Sequence, residues 1–185
     1  TAYRRQRQMC IRDSFLIQSL VKLSRMESGI IAVHSEDTTI KQMLESIQQQ
    51  FNVKVREKNI TLSLCDTDLH VRCDAKWTVE ALGNIVDNAI KYTACGGNVQ
   101  IKVEQYSFFV KIDIIDDGIG IEKEEIPKIF GRFYRSLSVA DQPGVGIGLF
   151  LAREIIQAQK GYIKVISKRG KGSTFSVFLP IAKKE

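Results

Sequence analysis

The sequence predicts an α+β domain: one sheet with helices packed on one face, preceded by a single separate helix. Three observations carry this. Apolar residues at 3/4 spacing mark helices near 40–55, 76–92 and 147–159. Alternating runs joined by short turns mark strands, most clearly Asn98–Glu104 and Phe108–Ile115 as a hairpin. Glycine clusters at 96–97, 118–120, 144–148 and 170–172 punctuate the chain between these runs.

Taken in order, residues 1–14 fit nothing that follows. They hold Arg4, Arg5, Arg7 and Arg12 against Asp13, which is half of the net charge of +6. This tail reads as translated adaptor sequence rather than evolved protein and is left out of fold reasoning. Helix 15–28 carries Leu16, Ile17, Leu20, Val21 and Leu23 and ends at Ser28-Gly29. Alone it cannot bury its stripe, so it needs a partner. Ile30–His34 alternates weakly and reads as a short strand. Ser35, Glu36 and Asp37 then offer caps for a helix with Ile40, Met43, Leu44, Ile47 and Phe51 on one face. Ile60–Leu64 and Val71–Cys73 are strands, and Asp74 precedes the next helix. After the hairpin, Ile126–Phe133 is a helical turn, 134–145 a mobile loop, Gly161–Ser167 a strand and Ser173–Leu179 the last strand.

A hydrophobic content of 44% in 185 residues suits one globular core and an appendage. No apolar run approaches the ~18 residues of a membrane span, and no apolar leader is present. Cys10, Cys65, Cys73 and Cys95 form no C-x-x-C pair and have no histidine at ligand spacing, which argues against zinc and against a disulfide framework. Outside the tail the chain is only mildly basic, with no basic stretch interleaved with aromatics, so nucleic acid is not an expected partner.

The helix at 76–92 carries two patterns at once. Leu82, Ile85, Val86, Ala89 and Ile90 make a core-facing stripe, while Glu80, Asn84 and Asn88 recur at i, i+4 beside Lys91 and Tyr92. Asparagine is a poor helix former because its amide competes for the backbone, so two in register need a reason. Amide oxygens are hard ligands suited to Mg²⁺, and a lysine one turn on can meet phosphate. A solvated face remains the plain alternative. Downstream, Asp116-Asp117-Gly118-Ile119-Gly120 lets backbone approach a flat ligand, with an aspartate able to accept from an exocyclic amine. Gly144-Val145-Gly146-Ile147-Gly148 opens a helix, supplying free N–H groups and a positive end for phosphate. Gly170–Thr174 precedes the last strand. Each cluster alone is as readily a turn, and none fits a P-loop or a dinucleotide fingerprint.

Their order is far more specific. N-x-x-x-N-A-x-K-Y-T from Asn84, D-x-G-x-G-I from Asp116, I-P-K-I-F-x-R-F-Y-R from Ile126, G-x-G-I-G-L from Gly144 and G-K-G-S-x-F from Gly170 follow one another. Together they closely resemble the N, G1, F, G2 and G3 boxes of the catalytic ATP-binding domain of sensor histidine kinases of two-component systems, a GHKL ATPase. The resemblance spans roughly Gly29 to the end, and helix 15–28 resembles the second helix of the dimerisation and phosphotransfer hairpin.

That resemblance implies a GHKL (Bergerat) two-layer α/β sandwich, with a mixed, mostly antiparallel sheet of about five strands backed by three helices. It implies ATP and Mg²⁺ as cofactors: Asn84 as metal ligand, with Asn88 assisting. Lys91 and Arg132 would meet phosphate, and Tyr92 would pack by the adenine. Asp116 would accept the adenine amine, with Gly118 and Gly120 shaping the base pocket. Gly144, Gly146 and Gly148 would form the lid hinge and phosphate-facing helix start, and Thr174 joins the cofactor-binding set. Glu80 matches an acidic catalytic position whose role stays open. The implied partners are a response regulator, the missing phosphoacceptor helix and, in the full-length protein, a second copy. The setting is the cytoplasmic side of a membrane-bound sensor. Three departures stand out: Gly131 replaces a polar F-box residue, Gln159 replaces a histidine in what should be a neutral change, and neither His34 nor His70 sits in a phosphoacceptor box. The competing functions are a GHKL ATPase or anti-sigma serine kinase, and a non-catalytic nucleotide-binding scaffold.

Overall fold

The computed structural model describes residues 17, 21, 24, 33–136 and 144–182. Ile17, Val21 and Ser24, which share one face at i, i+4, i+7, are helical, and both apolar members are exposed. The rest of the expected 15–28 helix, the basic tail and residues 137–143 of the expected loop lie outside the described residues.

Seven strands and three helices follow: β1 (Glu36–Thr39), α1 (Ile40–Glu57), β2 (Thr61–Leu64), β3 (His70–Cys73), α2 (Ala75–Tyr92), β4 (Asn98–Gln105), β5 (Phe109–Asp116), α3 (Gly148–Ala158), β6 (Tyr162–Ser167) and β7 (Ser173–Pro180). Five strands form one sheet in the order β2-β4-β5-β7-β6. β2 runs parallel to β4 and the other neighbours are antiparallel, so the sheet is mixed and mostly antiparallel. Val99, Ile101, Val110, Ile112, Ile114, Phe175, Val177 and Leu179 alternate along β4, β5 and β7 and are buried under the helices. On the opposite face, Tyr162 stacks on Phe178 and meets Phe109 edge-on. There Lys111 bridges Glu104 at 2.8 Å and Asp113 at 2.9 Å, while the Ser176 hydroxyl donates to Asp113 at 2.6 Å.

The strand expected at 30–34 is displaced. Val33 and His34 are irregular, and β1 begins at Glu36 within the segment expected to cap α1. β1 pairs antiparallel with β3, Glu36 opposite Cys73 and Thr39 opposite His70. Its residues are polar and none of them is buried, so no apolar alternation betrays it. Thr39 occupies the N-cap of α1 without a side-chain bond. The segment after Glu122 forms successive turns, with Ile126 N–H donating to Glu122 O and Ile129 N–H to Glu125 O. Pro127, lacking an N–H, limits that run to a turn.

α2 begins where the sequence requires. Asp74 caps it by accepting from Trp77 N–H at 3.1 Å. Its face of Ala81, Leu82, Ile85, Val86, Ala89 and Ile90 is at most 4% exposed. Each large aliphatic contributes about 1.5–3 kcal/mol by that burial. Gln159, at the C-cap of α3, is 3% exposed and ties the two helices together. Its Oε1 accepts from Asp74 N–H at 2.6 Å and the Thr78 hydroxyl at 3.2 Å, and its Nε2 donates to Ile155 O at 3.2 Å.

Ile85→Ala should therefore destabilise the domain by about 2–5 kcal/mol in urea unfolding, whereas Ile166→Ala, at an exposed position of β6, should stay within about 0.5 kcal/mol. Equal costs for the two would contradict the burial of Ile85 on α2 and the exposure of Ile166 on β6.

Candidate functional site

One cleft opens between α2, the end of β5, β7 and the start of α3. It holds about 1180 Å³, its open mouth included. Asn84, Asn88 and Lys91 reach it from successive turns of α2, so the polar register seen in the sequence faces the cleft while the apolar stripe faces the sheet. The Asn84 Nδ2 donates to Glu80 O at 3.0 Å, one turn back, which leaves its Oδ1 to the cleft side. A Cβ on Gly148 would lie 3.1 Å from that Oδ1, so the glycine lets α3 start close against Asn84. Ile147, the N-cap of α3, offers no side-chain acceptor to the first N–H groups of the helix. Gly148 and Leu149 line the cleft, placing this positive helix end at its wall. The Lys91 ammonium donates to the Tyr92 hydroxyl at 3.1 Å and approaches the position of a Cβ on Gly144 to 2.9 Å. It therefore stands beside the start of the glycine segment.

The cleft is also lined by apolar side chains and one buried acid: Ile119, Ile121, Ile129, Val145 and Phe175, with Asp116. Asp116 is 8% exposed. Burial raises its carboxyl from the ordinary 3.8 to about 6, against the opposing pull of the Gly118 and Ser173 backbone N–H groups, with Asp117 adding to the rise. The loop after it is tightly wound: Gly118 N–H donates to Asp116 Oδ1 at 2.9 Å. Gly120 has φ +66°, and a Cβ there would fall 2.1 Å from Lys168 O. Only glycine fits.

The cleft thus gathers Asn84, Asn88, Lys91, Tyr92, Asp116, Gly120, Gly144, Gly146 and Gly148. Gly118 supports the loop without lining it: a Cβ there would meet Tyr92 O at 2.6 Å. Three expected site residues stand elsewhere. Thr174 falls on the open face of β7, and its neighbours Ser173 and Phe175 line the cleft instead, as strand alternation dictates. Arg132 is exposed and lies over the Phe150 ring at 4.7 Å; Arg135, the second arginine of R-F-Y-R, lines the cleft. Glu80 borders a separate groove with Gln42 and Ser46 between α1 and α2. Glu125 and Tyr134, joined by a 3.2 Å hydrogen bond from the Tyr134 hydroxyl, also line the cleft. Tyr134 belongs to the I-P-K-I-F-x-R-F-Y-R string without an expected site role, and no sequence signal singles out Glu125, which sits in an irregular segment. Among the described residues no cluster of three or more His, Cys, Asp or Glu could hold a metal by itself.

Residues 73–183 match the family of histidine kinase-, DNA gyrase B-, and HSP90-like ATPases. The chain belongs to that family. It is 34% identical over 170 residues to the sensor histidine kinase WalK of Bacillus subtilis, covering 89% of this chain and 28% of WalK. The sensor protein kinase PmrB of Pseudomonas aeruginosa is 31% identical over 170 residues, covering 91% of this chain and 36% of PmrB. Among solved structures, the catalytic domain of histidine kinase ThkA superposes with a TM-score of 0.69 at 26% identity, over 80% of this chain and 95% of that one. The Acinetobacter baumannii histidine kinase AdeS gives 0.71 at 25% identity, over 92% and 79%. The chain therefore holds a histidine kinase catalytic ATP-binding domain in the α+β GHKL fold, and it spans about a third or less of the length of WalK and PmrB. No helix among the described residues is long and apolar enough to cross a membrane.

The raised Asp116 carboxyl has a stability consequence. The folded domain holds this proton up to about pH 6 whereas the unfolded chain loses it near 3.8, so the ionised form costs stability above pH 6 and the cost vanishes below pH 4. Asp116→Asn keeps an oxygen for Gly118 N–H and removes the buried charge. The nucleotide-free variant should gain about 1–3 kcal/mol in urea unfolding at pH 8 and almost nothing at pH 4. A loss of stability at pH 8 would show that the carboxylate is better solvated than its burial implies.

Proposed function

We propose that this chain binds Mg·ATP in the cleft and transfers the γ-phosphoryl group to a histidine supplied from outside the described residues, for relay to a response regulator. The observation that carries this is the lining of the cleft: a buried acid among apolar side chains, together with amides, cations and a helix N-terminus. An adenine needs the first and a polyphosphate the second. Asp116 accepts from the exocyclic amine of the base. Its carboxylate must be ionised to do so best, so affinity should fall as the pH drops below about 6.

The donors suit magnesium. Asn84 offers one hard, neutral amide oxygen, and Mg²⁺ takes the rest of its ligands from substrate phosphates and water. Bound there, the ion would neutralise charge developing on the phosphates. Asn88 holds phosphate or metal-bound water, and Lys91 and Arg135 face the phosphate chain. The α3 N–H groups receive phosphate oxygens beside Gly144 and Gly146, which line the cleft. Little covalent chemistry is asked of these residues: phosphoryl transfer depends on positioning and charge stabilisation.

The acceptor histidine comes from elsewhere. His34 N–H donates to Asp74 and His70 Nδ1 lies 2.6 Å from Asp37, and neither histidine lines the cleft. On this reading 15–28 is the second helix of a dimerisation hairpin whose exposed Ile17 and Val21 meet a missing partner, 29–185 is the catalytic domain, and the whole protein is a homodimeric, membrane-bound sensor with this part in the cytoplasm.

Titration with ADP and a non-hydrolysable ATP analogue tests the site. Magnesium should tighten the wild type, and Asn84→Ala should lose about tenfold or more of that magnesium-dependent affinity while keeping the base contact. Asp116→Asn should weaken binding with or without the ion. Failure of the wild type to bind any nucleotide would sink the kinase reading and leave the fold intact. Given binding, transfer in trans to a supplied phosphoacceptor hairpin, rather than release of ADP alone, separates a kinase from a simple ATPase.

A further inference from the structure

α2 ends against the cleft, and its termination can be accounted for bond by bond. The last four carbonyls of a helix lack intrahelical partners. In α2 these belong to Ala89, Ile90, Lys91 and Tyr92. Ala89 O accepts from Thr93 N–H at 3.0 Å, and Tyr92 O accepts from Ile119 N–H at 3.3 Å. The remaining two are taken by one side chain from another helix. The Lys58 ammonium donates to Ile90 O at 2.7 Å, to Lys91 O at 3.1 Å and to Thr93 O at 2.6 Å. An ammonium has three donors, and all three are used here. Its charge also complements the negative end of the helix. The backbone of Lys58 closes the same contact, its carbonyl accepting from Gly96 N–H at 2.9 Å.

We infer that Lys58 is a positioning residue for the nucleotide site: by capping α2 it fixes where that helix stops, and so aims Lys91 and Tyr92 and seats the Asp116–Gly120 loop. This rests on the nucleotide reading of the cleft. Two cleft groups, Lys91 and Tyr92, are in the last turn that Lys58 holds, and Lys91 is itself one of the capped residues. The Tyr92 carbonyl then passes the constraint to the loop, through Ile119 N–H and through the close approach of Gly118. Lys58 lines no part of the cleft, so its influence is indirect. An ordinary C-cap would do no more than add stability. This one joins the C-cap of α1 to the turn of α2 from which both a phosphate contact and the base-side loop are held.

The test uses the full chain, with Lys58→Met, which keeps the aliphatic stem and removes the donors, and Lys58→Arg, which keeps charge and donors. Lys41→Met, which breaks an exposed ion pair with Asp66, controls for the loss of a cation. Two readouts are taken at a temperature where every variant is folded: affinity for a non-hydrolysable Mg·ATP analogue, and hydrogen exchange at the Ile119 amide. Lys58→Met should bind about tenfold more weakly and exchange Ile119 about tenfold faster, with Lys58→Arg recovering most of both and Lys41→Met matching wild type. Affinity within about twofold of wild type in folded Lys58→Met would overturn the inference and leave Lys58 as a stabilising cap alone. If the wild type binds no nucleotide, the functional reading fails instead; the exchange rate of Ile119 then decides the inference, and unchanged protection in Lys58→Met overturns it.

Discussion

The structure depends on α2 facing two ways without compromise. Its Leu82, Ile85, Val86 and Ile90 side are packed between sheet and neighbouring helices, and that burial fixes the rotation of the helix about its axis. Once rotation is fixed, Asn84, Asn88 and Lys91 can only point into the cleft. The core thus does the aligning, and the site residues need no separate scaffold. Core packing to native density tolerates little rotation, which is what a constellation of one amide oxygen, one amide and one ammonium requires.

The other wall of the cleft is built at a cost. Asp116 ends a buried strand, and burial is the main influence on its carboxyl among the described residues, so its charge is disfavoured when the cleft is empty of ligand. Gly120 lies so near Lys168 O that a Cβ could not be accommodated, and Gly118 stands similarly against Tyr92 O. These are the local conflicts that minimally frustrated sequences confine to functional positions. They also explain why sheet and site are inseparable here: the loop after β5 is held by the turn before β7 and by the end of α2.

Much of this was legible in the residues. The three helices and five sheet strands follow from period and glycine punctuation, because each buries one face and therefore repeats. The α2 register and the order of the glycine clusters pointed to a nucleotide cleft for the same reason: spacing survives in sequence. What did not survive is direction. The sequence expectation places Thr174 at the site, but β7 alternates, and Ser173 and Phe175 are the ones that line the cleft. Arg132 and Arg135 are equivalent in a string and differ only in which side of an irregular turn they leave. β1 has no sequence signal because none of its four polar residues is buried and no apolar alternation marks it. Lys58 carries no motif at all: its meaning lies in three carbonyls more than thirty residues away.

The cleft walls come from elements far apart in sequence: α2, the β5 end, β7 and α3. A nucleotide spanning them would act as a clamp, adding stability in proportion to RT ln(1 + [L]/Kd). Placed as proposed above, such a ligand would relieve strains that the domain carries: its amine would meet the buried Asp116 carboxylate, and its phosphates would meet the N-terminus of α3, which has no side-chain cap. The groups that make the domain less stable would then be the ones the ligand satisfies. Binding energy and folding energy would be drawn from the same few contacts. Removing the buried charge would settle the fold and disarm the site, and this is the physical reason to expect an acid to be kept in an apolar wall.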